Sequence, residues 1–178
     1  MLRRPILILL VVAFLTGLTV YQRDQQTAVM TTTTEQKPKI GYPAPAFSLT
    51  GLDKQTYQVD GPREKPVLIN FWASWCGPCK LEAPDLQKLS QKYQGKVDFY
   101  AINSTSNDNL EDAMAFVESF KLTFPIPLDH KGEVTDLYQV NAFPTTYLID
   151  RQGVIRQKII GTIDPKELEA ELAKLLVQ

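Results

Sequence analysis

The chain has 178 residues, 44% of them hydrophobic and 22% charged, with a formal net charge of −1. That supports one globular domain of roughly 100 to 150 residues with a real core, plus an attached segment. Lysine and arginine (19) nearly balance aspartate and glutamate (20) and are interspersed with them, so no electrostatic footprint for nucleic acid exists and that class of partner is excluded.

The first residues carry Arg3 and Arg4, then PILILLVVAFLTGLTVY, an uncharged and mostly apolar run. Its length falls between a signal-peptide core and a membrane span of about 17 to 25 residues. No small-x-small cleavage site follows Leu15 and no lipidation cysteine stands nearby, so residues 1–21 read as an uncleaved signal-anchor. The arginines ahead of the run keep the N-terminus cytoplasmic, which makes the rest of the chain face outward, on the extracytoplasmic side of the membrane. A buried core helix is the weaker reading, because no polar face breaks the run. Residues 22–39, with TTTTEQKPK, lack a hydrophobic period and read as a flexible polar tether. The folded domain is expected over 40–178.

Two short strands are expected near Ala46–Leu49 and Gln55–Val59, joined by a turn around Gly51–Lys54. Pro66–Ala73 is a nearly continuous apolar run, the pattern of a central strand covered on both faces. Ala83, Leu86, Leu89 and Tyr93 recur at helical spacing, predicting a helix from Cys76 to about Tyr93 with a kink at Pro84. Val97–Ser104 reads as a strand and Leu110–Phe120 as a helix, with Leu110, Met114, Val117 and Phe120 on one side. A short strand at Ile126–Leu128 and a short helix at Glu133–Tyr138 follow. Thr145–Asp150 and Val154–Ile160 form a hairpin across Arg151–Gly153. Asp164 caps a final helix, with Pro165 at its first position and Glu167 placed for a capping box. Alternating strands and helices imply an α/β sheet with helices on both faces, and the trailing hairpin makes it mixed.

The only two cysteines, Cys76 and Cys79, stand in FWASWCGPCK, framed by both tryptophans. As a staple the pair would close almost no loop, worth about 2 kcal/mol against about 4.7 for a hundred-residue loop. At the start of a helix, however, the two Cα atoms stand about 5 Å apart, inside the window for a disulfide that opens and closes without rebuilding the fold. Unpaired N–H groups and the helix dipole favour an anion there, so Cys76 is the expected attacking thiolate. Gly77 and Pro78 suit a tight approach and a helix start. Cys79 would resolve the mixed disulfide. Half of a zinc site, a Cu(I) site completed by His130 and an inert disulfide are the competing readings; His130, in the polar turn LDHKGE, reads better as a surface residue. Trp72 is expected to pack and Trp75 to shield the sulfurs.

WCGPCK after an apolar strand, with VNAFPTTYLID further on, resembles the thioredoxin superfamily. AFSLTGLDK, the run WCGPCKLEAPDLQKL and an extra helix before the proline strand are similar to its membrane-anchored TlpA/ResA/CcmG-like branch; the opening also resembles the AhpC/TSA-like N-terminal hairpin. The resemblance spans about Ile40 to Leu175. It implies a thioredoxin fold, a mixed central sheet flanked by helices, with an N-terminal β-hairpin and a central helical insertion. It also implies Cys76 as nucleophile, Cys79 as resolving cysteine and Pro144 as the cis-proline facing them. The backbone from Phe143 to Thr145 becomes an edge for a client chain. Trp75, Gly77, Pro78, Phe143, Pro144 and Thr145 are thus the expected client-contacting residues. Glu82 matches a glutamate common near the active site of this branch and is expected to exchange protons with Cys79, its pKa raised by desolvation. Its plainer reading is a solvated helix glutamate. Asn70 departs from the buried aspartate of many thioredoxins; an amide cannot titrate, which shifts weight onto Glu82.

The expected function is that of an extracytoplasmic, membrane-anchored thiol-disulfide oxidoreductase. It would reduce disulfides in client proteins such as apocytochrome c during cytochrome c maturation. Its electrons would come from a membrane dithiol donor, since the glutathione and thioredoxin pools are cytosolic. No cofactor and no resident metal is called for. A disulfide-forming oxidant is the alternative within the same chemistry; a thiol peroxidase, a copper-binding assembly factor and a pure interaction module rank below it.

Overall fold

The computed structural model describes residues 35–177. The signal-anchor expected over 1–21 and the tether as far as residue 34 lie outside the described residues. Glu35–Lys39, the end of that tether, is bonded to the domain: Gln36 Oε1 accepts the Ala46 N–H at 3.1 Å, and the Lys37 N–H donates to Pro43 O at 3.1 Å. Among the described residues no helix is long and apolar enough to cross a membrane.

In chain order the elements are β1 (Phe47–Thr50), β2 (Thr56–Val59), β3 (Val67–Trp72), α1 (Gly77–Lys92), β4 (Asp98–Asn103), α2 (Leu110–Ser119), α3 (Glu133–Leu137), β5 (Thr145–Ile149), β6 (Ile155–Ile160) and α4 (Pro165–Leu175). β1 and β2 form an antiparallel hairpin with Phe47 opposite Val59. The main sheet has the order β4-β3-β5-β6. β3 runs parallel to β4 and antiparallel to β5, and β5 runs antiparallel to β6. This is the mixed sheet of a thioredoxin fold, with the expected N-terminal hairpin and helical insertion.

Every residue of β3 is buried, as its unbroken apolar run requires. Alternation along the strand sends Val67, Ile69 and Phe71 into a core under the hairpin and α3, with Tyr138, Tyr147 and Ile149. Leu68 faces the other way, onto Leu86, Leu89 and Tyr93 from α1 and its end and Leu168, Leu172 and Leu175 from α4. Trp72, on that same face, packs with Cys76, Cys79, Ala83 and, from α2, Phe116. Helices cover both faces but unequally, the three longer ones sharing one side. The period of two also points Asn70 towards α1.

Ile126–Leu128 does not form the expected strand. Pro127 bridges Gly51 and Leu128 bridges Asn103 as isolated pairs, because Pro125 and Pro127 flank Ile126 and have no N–H to donate to a continuous ladder. The segment still ties the hairpin to the sheet, with Leu52 N–H on Ile126 O and Asn103 N–H on Pro127 O. α1 runs without a break through Pro84.

The turn between β5 and β6 needs glycine at its end. Gly153 has φ +79°, and a Cβ there would stand 2.5 Å from Gly61 O. Gly153→Ala is therefore expected to cost about 2 kcal/mol or more, from left-handed strain and the backbone clash together. A urea midpoint equal to that of the parent chain would contradict this account.

Candidate active site

β3 ends at Trp72, and the chain turns at once into α1. The Cys76 N–H donates to Ala73 O at 3.1 Å and closes the turn. Cys76 then takes the N-cap position, its Sγ accepting the Cys79 N–H at 3.1 Å. Pro78 occupies the first helical turn, where a missing N–H leaves no bond unmade. Cys76 and Cys79 form a disulfide with Cα atoms 5.3 Å apart. Both cysteines are 4% exposed, so accessibility does not tell them apart. Their electrostatics do: the Cys76 sulfur sits at the cap, where backbone N–H groups and the helix dipole stabilise a thiolate. Gly77 and Pro78 lie exposed beside them.

The Phe143–Pro144 peptide bond is cis. Pro144 is buried and its carbonyl accepts the Gly161 N–H at 2.8 Å. Thr145 is drawn into the sheet between Phe71 and Ile160. At 1% exposure, with its hydroxyl donating to Ala142 O, its side chain holds the loop and does not face solvent. Half-buried Phe143 packs beside the cluster that contains both sulfurs.

The two tryptophans differ sharply in exposure. Trp72 packs as expected: it is 2% exposed, lies in the apolar cluster with the sulfurs and donates its indole N–H to Ala101 O. Trp75, expected to shield the sulfurs, is 61% exposed. Its indole donates to Asn107 O at 2.8 Å and meets the Phe143 ring edge-on at 5.8 Å. Those two contacts hold it at the surface, with much of the indole open to solvent.

Glu82, one turn after Cys79, is 6% exposed. Its Oε1 accepts from Asn70 Nδ2 at 2.8 Å, and its buried Oε2 has no hydrogen-bond partner among the described residues. Burial pushes its pKa up to about 7, the Asn70 bond pulling part of the way back. The other Asn70 amide hydrogen reaches Thr146 Oγ1 at 2.9 Å. Asn70, read from sequence only as a departure, therefore orients the carboxyl. The signal was there in part, since period two in β3 and helical spacing in α1 face the pair towards each other. Glu82 also contributes to the lining of a cavity of about 100 Å³, with Leu81, Asp85, Thr162, Ile163 and Pro165.

His130 lies exposed on the turn before α3. Among the described residues no three His, Cys, Asp or Glu side chains are grouped to hold a metal. The copper reading lacks its third ligand.

Residues 39–176 match the Redoxin family model. The chain is 42% identical over 133 residues to the thioredoxin-like protein YneN of Bacillus subtilis, covering 74% of this chain and 78% of that protein. It is 34% identical over 171 residues to the thiol-disulfide oxidoreductase ResA of Bacillus thuringiensis, covering 96% of this chain and 94% of that one. Among solved structures, StoA of Bacillus subtilis superposes with a TM-score of 0.64 at 27% identity, over 72% of this chain and 96% of that one. A DsbE-type thiol:disulfide interchange protein of Chlorobium tepidum gives 0.71 at 31%, over 78% and 98%. A sulfur pair at a helix cap and relatives of this kind lead to one conclusion: the chain belongs to the Redoxin family of the thioredoxin superfamily, among its ResA-like thiol-disulfide oxidoreductases.

Proposed function

We propose that the chain is an extracytoplasmic reductant, anchored by residues 1–21 in a bacterial membrane, that reduces disulfides in client proteins such as apocytochrome c. The observation that carries the chemistry is the Cys76–Cys79 pair at the cap of α1 with Glu82 buried one turn on. In the reduced protein, the Cys76 thiolate attacks one sulfur of a client disulfide. A mixed disulfide forms and the other client sulfur leaves as a thiolate that takes a proton. Cys79 then gives its proton to the Glu82 carboxylate and attacks the Cys76 sulfur, breaking its bond to the client, whose second sulfur leaves as a thiolate and takes up that proton. The client departs as a dithiol, two electrons richer, and Cys76–Cys79 is left oxidised. A membrane dithiol donor restores it. Phe143, beside the cis Pro144, and the exposed Trp75, Gly77 and Pro78 form the surface against which the client lies, with Thr145 holding the loop from inside the sheet.

Cys79→Ser is expected to hold the client as a mixed disulfide on Cys76, visible as a reducible adduct, whereas Cys76→Ser traps none. The reverse pattern would exchange the two roles.

A Cys76–Cys79 midpoint near or below about −270 mV, as in thioredoxin, fits a reductant. A value near about −120 mV, as in a strong oxidant, would replace this reading with disulfide formation in folding clients.

Glu82→Gln keeps an oxygen for Asn70 but cannot take a proton. Exchange is expected to slow about a hundredfold, and its pH profile to lose the inflection near neutrality. The same change has a stability signature. With a folded pKa of about 7 against an unfolded value near 4.5, Glu82 leaves the folded state holding more protons than the unfolded state between those limits. Stability thus falls as pH rises through that window. Relative to the parent, Glu82→Gln should be more stable at pH 8 than at pH 4.5 by on the order of 2 to 3 kcal/mol. Parallel stability curves and an unchanged rate would remove Glu82 from the mechanism.

A further inference from the structure

A second polar layer stands behind Trp75. β3 and β4 run parallel and end in register, Trp72 opposite Asn103, so the chain leaves both strands at the same end of the sheet. The Ser104 N–H donates to Trp72 O at 3.0 Å. A single 3-10 turn, Thr105–Asn107, then brings Asp108 back over the loop that follows β3. Asp108 Oδ2 accepts the Ser74 backbone N–H at 2.6 Å, and Oδ1 accepts the Ser74 hydroxyl. The same carboxylate takes Asn103 Nδ2 at 2.7 Å and its neighbour's N–H, Asn109, at 2.9 Å. Four donors converge on one side chain. Asn107, one residue earlier, supplies the carbonyl that holds the Trp75 indole.

We propose that Asp108 is a positioning residue for disulfide exchange, fixing the Ser74–Trp75 turn and with it the Cys76 sulfur at the cap of α1 and the indole beside it. This rests on the reading of Cys76 as the attacking sulfur. Ser74 precedes Cys76 by two residues, and its N–H and hydroxyl both go to this carboxylate. Hydrogen bonds to an ionised acceptor are roughly twice as strong as neutral ones. Attack on a disulfide depends on the placement of the incoming sulfur, and a misplacement of about 1 Å can cost a reaction about a hundredfold. Alanine at 108 would release the turn. Asparagine would largely keep it: an amide oxygen in the Oδ2 place accepts from Ser74 and Asn103, and the amide nitrogen donates to the Ser74 hydroxyl, which also accepts. Only the bond from Asn109 is lost.

The test uses the full chain carrying Cys79→Ser and insulin as the disulfide substrate, and compares the rate of adduct formation with Asp108 present, as Asn and as Ala. Trp75 reports on the turn in the chain with both cysteines, through the part of the oxidised-minus-reduced fluorescence difference that Trp75→Phe removes. Asp108→Ala is expected to slow the adduct about tenfold and to diminish the Trp75 signal. Asp108→Asn should recover most of both. Asp108→Ala reacting at the parent rate with its Trp75 signal intact would overturn the assignment, as would Asp108→Asn reacting as slowly as the alanine variant. Should the alanine variant not fold, Ser74→Ala removes the hydroxyl bond alone. A rate lowered about threefold supports the role, and the parent rate overturns it. If Cys79→Ser by itself captures no insulin, the reading of Cys76 falls first, and the positioning role falls with it for want of a sulfur to place.

Discussion

The short turn that carries β3 into α1 is the constraint on which the rest of the molecule depends. β3 is buried throughout and bonded along both edges, to β4 on one side and β5 on the other. Its end is therefore fixed in space. With so few residues between Trp72 and Gly77, the helix must start at that end of the sheet and pack back across it. Whatever side chain occupies the cap meets the loop before β5, because β5 is antiparallel to β3 and begins opposite Phe71. A cysteine pair at the cap and a cis peptide bond before β5 are thereby brought to one place by strand pairing.

The polar groups near the sulfurs are buried at a cost, and each is answered by a neighbour except one. Asn70 lies on the face of β3 that otherwise presents Leu68 and Trp72 to the helices, and its amide divides its two hydrogens between Glu82 and Thr146. Of these three, Glu82 alone titrates. Burial of an ionised carboxylate is expensive, so the group is poised near neutrality, and one of its oxygens remains unpartnered. A carboxyl of that kind, one helical turn from Cys79, fits the proposed exchange, whose second step must deprotonate a buried thiol. The amide at Asn70 lends a hydrogen bond without adding a second titration.

Much of this was legible in the chain itself. The apolar run at Val67–Trp72, the helical spacing after Cys79 and the hairpin about Gly153 each depend on contacts close in sequence, and each became the element expected. The placement of Cys76, Cys79 and Glu82 beside one another was legible for the same reason, since one helix and its cap carry all three. Ile126–Leu128 departs from the expected strand because Pro125 and Pro127 deny it a ladder. The exposure of Trp75 was not legible, because its position is set by Asn107 and Phe143, which lie far away in sequence. The Asp108 clamp on Ser74 left no trace in periodicity or motif, since its partners are 34 residues apart and belong to loops.

By itself the sequence determined the alternation of strands and helices, the sulfur pair at a helix start and the single acid one turn beyond it. These follow from local rules: side-chain period, capping chemistry and the reach of a helical turn. The tertiary structure alone decided how far Trp75 is exposed, that Asn70 holds Glu82, that Thr145 faces inward and that Asp108 closes over the active-site turn. Those outcomes depend on strand order and register, which join residues distant in the chain, and no local preference encodes them.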